Sequence, residues 1–222
     1  MKLRVVIVSL CVMACSPPSP VDEALAPLVQ KIEIEQEKLA ALSIDAPLKT
    51  RFASVYVLDQ APRAFLSDPQ INRLPAEVRD PALGQVSSLM GELDRQNLAT
   101  VLEHLPPEGW YLKSKHGVEV ATTAFLVVQH SDLETWRRFL PVLEGLVSSD
   151  EVDGPSYGLM YDRLALAEGR PQRYGSQMAC IEGQWQAQNL EAPDAVDQRR
   201  RDLGFDTTLA EYEAMFASQP CR

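Results

Sequence analysis

Residues 118–147, VEVATTAFLVVQHSDLETWRRFLPVLEGLV, decide the fold class. The first twelve are apolar on nearly all sides, the mark of a helix central to a core. Ser131-Asp132-Leu133-Glu134 then reads as a capping box that opens a second helix. Leu133, Trp136, Leu140, Leu143 and Val147 give that helix one buried stripe, and Pro141 predicts a kink in it. Two helices joined by a short turn set the expectation of a mainly α protein.

Upstream, Asp80-Pro81 reads as an N-cap followed by proline at the first helical position. Leu83, Val86, Met90, Leu93, Asn97 and Val101 follow at helical spacing to about His104, and Pro106-Pro107 stops the run. This stripe puts Asn97 on the buried side with Asp94 one turn before it. Residues 24–42 and 49–66 have helical composition, the second carrying Asp59, Gln60 and Arg63 and broken or kinked at Pro62. Downstream, residues 156–168 are apolar apart from Asp162, Arg163 and the final Glu168, and Gly169 suits a helix end. Residues 170–177 read as an extended stretch with a tight turn, leading into a short strand near 178–181. Short helices around Gly204 complete the tail. The expected fold is mainly α, a compact helical domain with a small β-hairpin element, forming one domain over residues 24–222.

The N-terminus reads differently. Lys2 and Arg4 precede a short apolar run, Val5 to Met13, and Ala14-Cys15 follows. A run of that length is well short of the roughly 20 residues that cross a bilayer as a helix. Val12-Met13-Ala14-Cys15 resembles a lipobox, so residues 1–14 are expected to be a lipoprotein signal peptide and Cys15 the lipidated first residue of the mature chain. The competing reading is an ordinary secretory signal with an incidental cysteine. Ser16-Pro17-Pro18-Ser19-Pro20 is too proline-rich to open a helix on this reading, so residues 15–23 are expected to form an extended tether. Ser16 supplies no acidic retention signal, which points to the cell envelope, with outer-membrane or periplasm-facing placement in a Gram-negative host.

Removing the signal leaves 19 basic against 31 acidic residues, a mature charge of −12. Nucleic acid and anionic headgroups are therefore excluded as electrostatic partners, and the membrane is reached through the lipid on Cys15. Of the cysteines, Cys180 and Cys221 remain for a disulfide in an oxidising compartment, the alternative being two separate thiols.

Several polar residues carry chemistry on paper. His130 and Asp132 at the helix junction form a possible general base with an orienting carboxylate, although residues two apart meet only through the turn. A junction histidine bonded to loop carbonyls is the plainer reading. Asp162 and Arg163 lie in an apolar helix, where burying charge costs several kcal/mol unless it is paired. They are either structural ion-pair residues or pocket lining. Gln172, Tyr174 and Gln177 around Gly175 supply hydrogen-bonding groups on a turn, where binding residues gather, and Gln60 and Arg63 are of the same kind. GxSxG, P-loop and GxGxxG patterns are all absent. His104 and His116 lack acidic or cysteine partners at ligand spacing, so no metal or cofactor is expected.

Taken in order, Asp59-Gln60-x-x-Arg63, Asp94-x-x-Asn97, Gln129-His130-Ser131-Asp132, Asp162-Arg163 and Gln172-x-Tyr174-Gly175-Ser176-Gln177 resemble a bacterial domain-of-unknown-function family, number 6624, over about residues 50–215. Asp197-x-x-Arg200, Gly204 and Tyr212 extend the resemblance. Ser131 stands where the family has Ala, Ser176 where it has Thr, and Trp110-Tyr111 where it tends to Trp-Pro. The resemblance implies that these blocks belong to one site or one buried network, and supplies no mechanism. Two functions compete: an envelope lipoprotein with a binding or structural role, and a hydrolase. The hydrolase would use His130 as base, Asp132 or Asp162 to orient it, and Arg163 or Arg63 to bind an anionic group. The ligand or protein partner is left open.

Overall fold

The structure, a computed structural model, describes residues 17–219 and Cys221. The expected signal peptide, residues 1–14, and the expected lipidation site, Cys15, lie outside the described residues, as does Ser16. In chain order the elements are α1 (Pro20–Ala41), α2 (Leu48–Ser67), α3 (Pro69–Asn72), α4 (Ala76–Glu103), α5 (Lys113–His116), α6 (Val118–Gln129), α7 (Leu133–Val147), α8 (Gly154–Ala167), β1 (Met178–Ile181), β2 (Gln184–Ala187), α9 (Val196–Leu203) and α10 (Leu209–Ala214). The fold is mainly α with one two-stranded antiparallel hairpin, as the periodicity predicts. Among the described residues no helix is long and apolar enough to cross a membrane.

The chain gathers into two compact units. The N-terminal unit runs to His104 and includes Thr122–Val127; the C-terminal unit comprises Leu105–Ala121 and everything from Val128 onward. In the N-terminal unit, Leu25, Leu28 and Ile32 of α1 cluster with Leu58 and Ala61 of α2 and Ala82, Val86 and Leu93 of α4. The intervals within each helix are one or two helical turns, so each helix presents one stripe to the shared core. Burying each leucine stabilises the unit by about 1.5–3 kcal/mol.

Prolines here start or sit inside helices more often than they end them. Residues 20–23 of the expected tether lie instead in α1, which is capped by Ser19. Its Oγ accepts from the Asp22 amide at 3.2 Å, and Pro20 opens α1 at the position where its missing N–H costs nothing. Similarly, α4 starts at Ala76 rather than after Asp80, with the Arg79 amide already bonded to the Pro75 carbonyl at 2.9 Å. Pro81 forfeits only the bond to the carbonyl of Glu77, an exposed residue that water can reach. Pro62 and Pro141 also lie inside continuous helices.

In the C-terminal unit, the α6–α7 junction is capped one residue later than the sequence motif implies. The extended residue is Asp132, whose Oδ1 accepts from the Thr135 amide at 2.8 Å, while Ser131 Oγ turns back to donate to the Val128 carbonyl at 2.6 Å. Trp110 packs against Phe139 of α7 with ring centroids 5.5 Å apart. The N-terminus of α8 approaches α9 so closely that a Cβ on Gly154 would collide with the Leu203 carbonyl oxygen. The hairpin pairs Ile181 with Gln184 across Glu182-Gly183, both at positive φ, the geometry of a two-residue turn. Cys180 on β1 is disulfide-bonded to Cys221, with Cα atoms 5.4 Å apart, fixing the tail to the hairpin.

Candidate functional site

The polar residues of the C-terminal unit are organised around Asp162. It projects from α8, is completely buried, and is surrounded by backbone amides. Its Oδ1 accepts from the amides of Arg173 at 2.7 Å and Tyr174 at 3.1 Å. Its Oδ2 accepts from Tyr174 at 3.2 Å and Ser176 at 2.9 Å. The turn can aim these amides at one point because Gly175 adopts φ +64°, and a Cβ there would press on Leu209 at 2.8 Å. The result is an anion-binding concavity already filled by the protein's own carboxylate.

Gln172, also completely buried, holds the same turn from the other side. Its Nε2 donates to the carbonyls of Gln177 at 2.9 Å and Gln188 at 2.7 Å, and its Oε1 accepts from the Gln177 amide at 2.8 Å. Gln177 Nε2 donates to the Leu159 carbonyl at 3.3 Å and to Ser176 Oγ at 3.2 Å. Tyr174 is buried between the rings of Tyr161 and Phe205, and burial raises its phenol pKa. Its carbonyl accepts from Arg200 Nη1 at 2.9 Å.

Arg200 is absent from the catalytic and binding candidates drawn from the sequence, yet it is among the largest fully buried side chains. Besides the Tyr174 carbonyl it donates to the Thr207 carbonyl at 2.9 Å and Thr207 Oγ1 at 3.0 Å. Its guanidinium lies 4.4 Å from the Phe205 ring centroid and 5.2 Å from that of Tyr212. Burial lowers its pKa, opposed by the charge of the Asp197 carboxylate. Tyr212 closes the set by donating to the Ser176 carbonyl at 3.3 Å. The structure therefore brings Asp162, Gln172, Tyr174 and Gln177 together, and Asp162, Gln172 and Gln177 direct most of their hydrogen bonds to backbone.

His130, Asp132 and Arg163 gather at the α6–α7 turn. Asp132 is exposed, and the Thr135 amide holds its carboxyl below the usual aspartate range. Half-buried Arg163 emerges one residue after Asp162 on α8. Its Nη1 donates to the Gln129 carbonyl at 3.4 Å, and its guanidinium carbon lies 5.9 Å from the Trp136 ring centroid. Trp136 is fixed by donating Nε1 to the Val128 carbonyl at 3.0 Å. Burial alone lowers the Arg163 pKa. Adjacent residues on α8 thus serve two sequence blocks, Asp162 the 172–177 turn and Arg163 the 129–132 turn.

Gln60 and Arg63 belong to the N-terminal unit. Arg63 Nη2 grips both carboxylate oxygens of Asp94 at 2.9 Å, and its Nη1 donates to the Asp59 carbonyl at 2.6 Å. Gln60 Nε2 donates to the buried Asp59 carboxylate at 2.6 Å. One turn along α4 from Asp94, Asn97 is buried as its place in the stripe predicts, and its Nδ2 has no hydrogen-bond partner among the described residues. A recess of about 510 Å³ between α1 and α2 is lined by Glu35, Lys38, Thr50, Ser54 and neighbouring apolar residues, none of them predicted from the sequence. Among the described residues, no group of three or more His, Cys, Asp and Glu side chains could hold a metal ion.

These ordered blocks lie within residues 47–218, the span matched by the model of a family described as "Family of unknown function (DUF6624)". The chain belongs to this family. The match agrees with the resemblance drawn from residues 50–215. The DUF6624 span takes in α2 to α10 and leaves α1 outside it. No curated protein and no solved structure matches the chain. Membership in DUF6624 therefore identifies the domain, and the chemistry has to be read from the side chains themselves.

Proposed function

We propose that this DUF6624 member is a cell-envelope lipoprotein, exported by residues 1–14 and anchored through a lipid on Cys15. Its C-terminal unit acts as a binding module, and its polar blocks serve mainly as scaffold. The observation that carries the binding role is Asp162: with both oxygens taken up by the backbone amides of Arg173, Tyr174 and Ser176, its carboxylate organises the 172–177 turn instead of orienting a catalytic base. Gln172 and Gln177 are committed in the same way. The anchor is supported by the lipobox-like segment, and the charge of −12 leaves the lipid as the attachment to the membrane.

The test has two arms. Detergent-extracted protein is expected to carry the mass of acyl groups on Cys15, and Cys15→Ser to move to the soluble fraction. A processed wild-type chain with no acyl mass would sink the anchor. For the binding role, esters and phosphoesters are expected to show no turnover. Turnover abolished by His130→Ala at unchanged thermal stability would replace this reading with the hydrolase, in which His130 is the base and Arg163 or Arg63 holds an anionic group.

A further inference from the structure

Two arginines on neighbouring elements of the C-terminal unit, buried Arg200 and half-buried Arg163, make an informative contrast. Neither pairs with a carboxylate among the described residues. Arg200 is nevertheless complete, with three hydrogen bonds at 2.9–3.0 Å and an aromatic ring on each of two sides. Arg163 has one hydrogen bond, at 3.4 Å, and one indole near the outer limit of a cation–π contact. A guanidinium carries five donors, and withdrawing it from water without a counter-charge is unfavourable. In a chain with 31 acidic residues a carboxylate partner would have been easy to supply.

We propose that Arg163, with Trp136 and the 129–132 turn, is a binding site for an oxyanion carried on a planar or apolar group, either a carboxylate or a phosphate ester. The guanidinium fork matches both anions in a bidentate fashion. Trp136 supplies an apolar wall that its bond to the Val128 carbonyl holds in place. The neighbouring Asp162 contributes rigidity without competing, since its charge is fully engaged by the 172–177 turn. The proposal rests on the binding reading of the C-terminal unit and is independent of the lipid.

The test is thermal melting of the mature chain with benzoate, phenyl phosphate or inorganic phosphate. A ligand that binds only the folded protein raises Tm with concentration, measurably so up to about 10 mM for weak sites. Benzoate, phenyl phosphate or both are expected to raise wild-type Tm. Arg163→Lys should weaken the responding probe by about five-fold or more, because it keeps charge but loses the fork. Arg163→Met should abolish the response while leaving the ligand-free Tm unchanged or higher. A benzoate response alone assigns the site to carboxylates, and a phenyl phosphate response alone assigns it to phosphate esters. No Tm rise with either organic probe overturns the proposal, as does an equal rise in Arg163→Met or a lowered ligand-free Tm in that variant. Turnover of an ester in the same samples would overturn the binding role while leaving the anion site standing.

Discussion

The two units of this protein solve the same problem by different means. The N-terminal unit is built from helices, whose backbone groups satisfy one another, so its side chains are free to pack as apolar stripes. The C-terminal unit contains an irregular stretch, residues 170–177 and 188–191, whose amides and carbonyls have few ladder partners. There Asp162, Gln172, Gln177 and Arg200 are spent on backbone instead. Buried charge in such a protein marks where secondary structure runs out as readily as where chemistry happens.

The comparison can be broken most directly at Asp162. Asp162→Ala leaves the amides of Arg173, Tyr174 and Ser176 without this acceptor and is expected to cost about 3–5 kcal/mol, since each buried donor left unsatisfied costs about 1–3 kcal/mol. Trp110, Trp136 and Trp185, the three tryptophans of the chain, all lie in the C-terminal unit, so their fluorescence during urea unfolding follows that region. A loss below about 1 kcal/mol, the worth of one ordinary hydrogen bond, would mean that the carboxylate does not organise the turn.

Leu93→Ala probes the other strategy by opening a hole among α1, α2 and α4, with an expected loss of about 2–4 kcal/mol in helix-detected unfolding. A Leu93→Met variant should cost less than about 1.5 kcal/mol, since volume is nearly kept. If the two variants cost the same, apolar packing is not what holds that unit.

The smallest effect sharpens the comparison at the α6–α7 turn. Asp132→Ala should cost about 1 kcal/mol through loss of the cap on α7. Because the Thr135 amide depresses the Asp132 pKa in the folded state, that contribution is present above the unfolded pKa, near about 4. It is lost as pH falls through the lower folded value. The wild-type advantage over Asp132→Ala should therefore shrink in acid, and a difference that stays constant down to about pH 2 would rule out an ionised cap.

Much of this was legible in the residues, and the failures have physical causes. The boundaries of α6 and β1 follow from composition, and Asp162-Arg163 stands out because charge is improbable in an apolar helix. Proline was harder to place. Asp80-Pro81 is a sound start signal, but Pro75 supplies an earlier one, and local rules do not rank two starts five residues apart. Arg200 sits in the run Arg199-Arg200-Arg201, which looks solvated throughout. Only the return of Phe205, Thr207 and Tyr212 around it selects the middle residue for burial. Likewise, the sequence showed Asp162 beside the glutamines in a list of polar groups, and could not show that their partners would be main-chain atoms.

The early start of α1 at Pro20 also bears on where such a domain can operate. Four residues lie between Cys15 and Pro20, the first helical residue, so even a fully stretched chain of five Cα–Cα steps spans no more than roughly 18 Å. On the proposed lipid attachment, that is a leash shorter than the domain it holds. The protein would patrol a thin layer next to its own bilayer, and anything it meets must come to that layer rather than be reached for across the compartment.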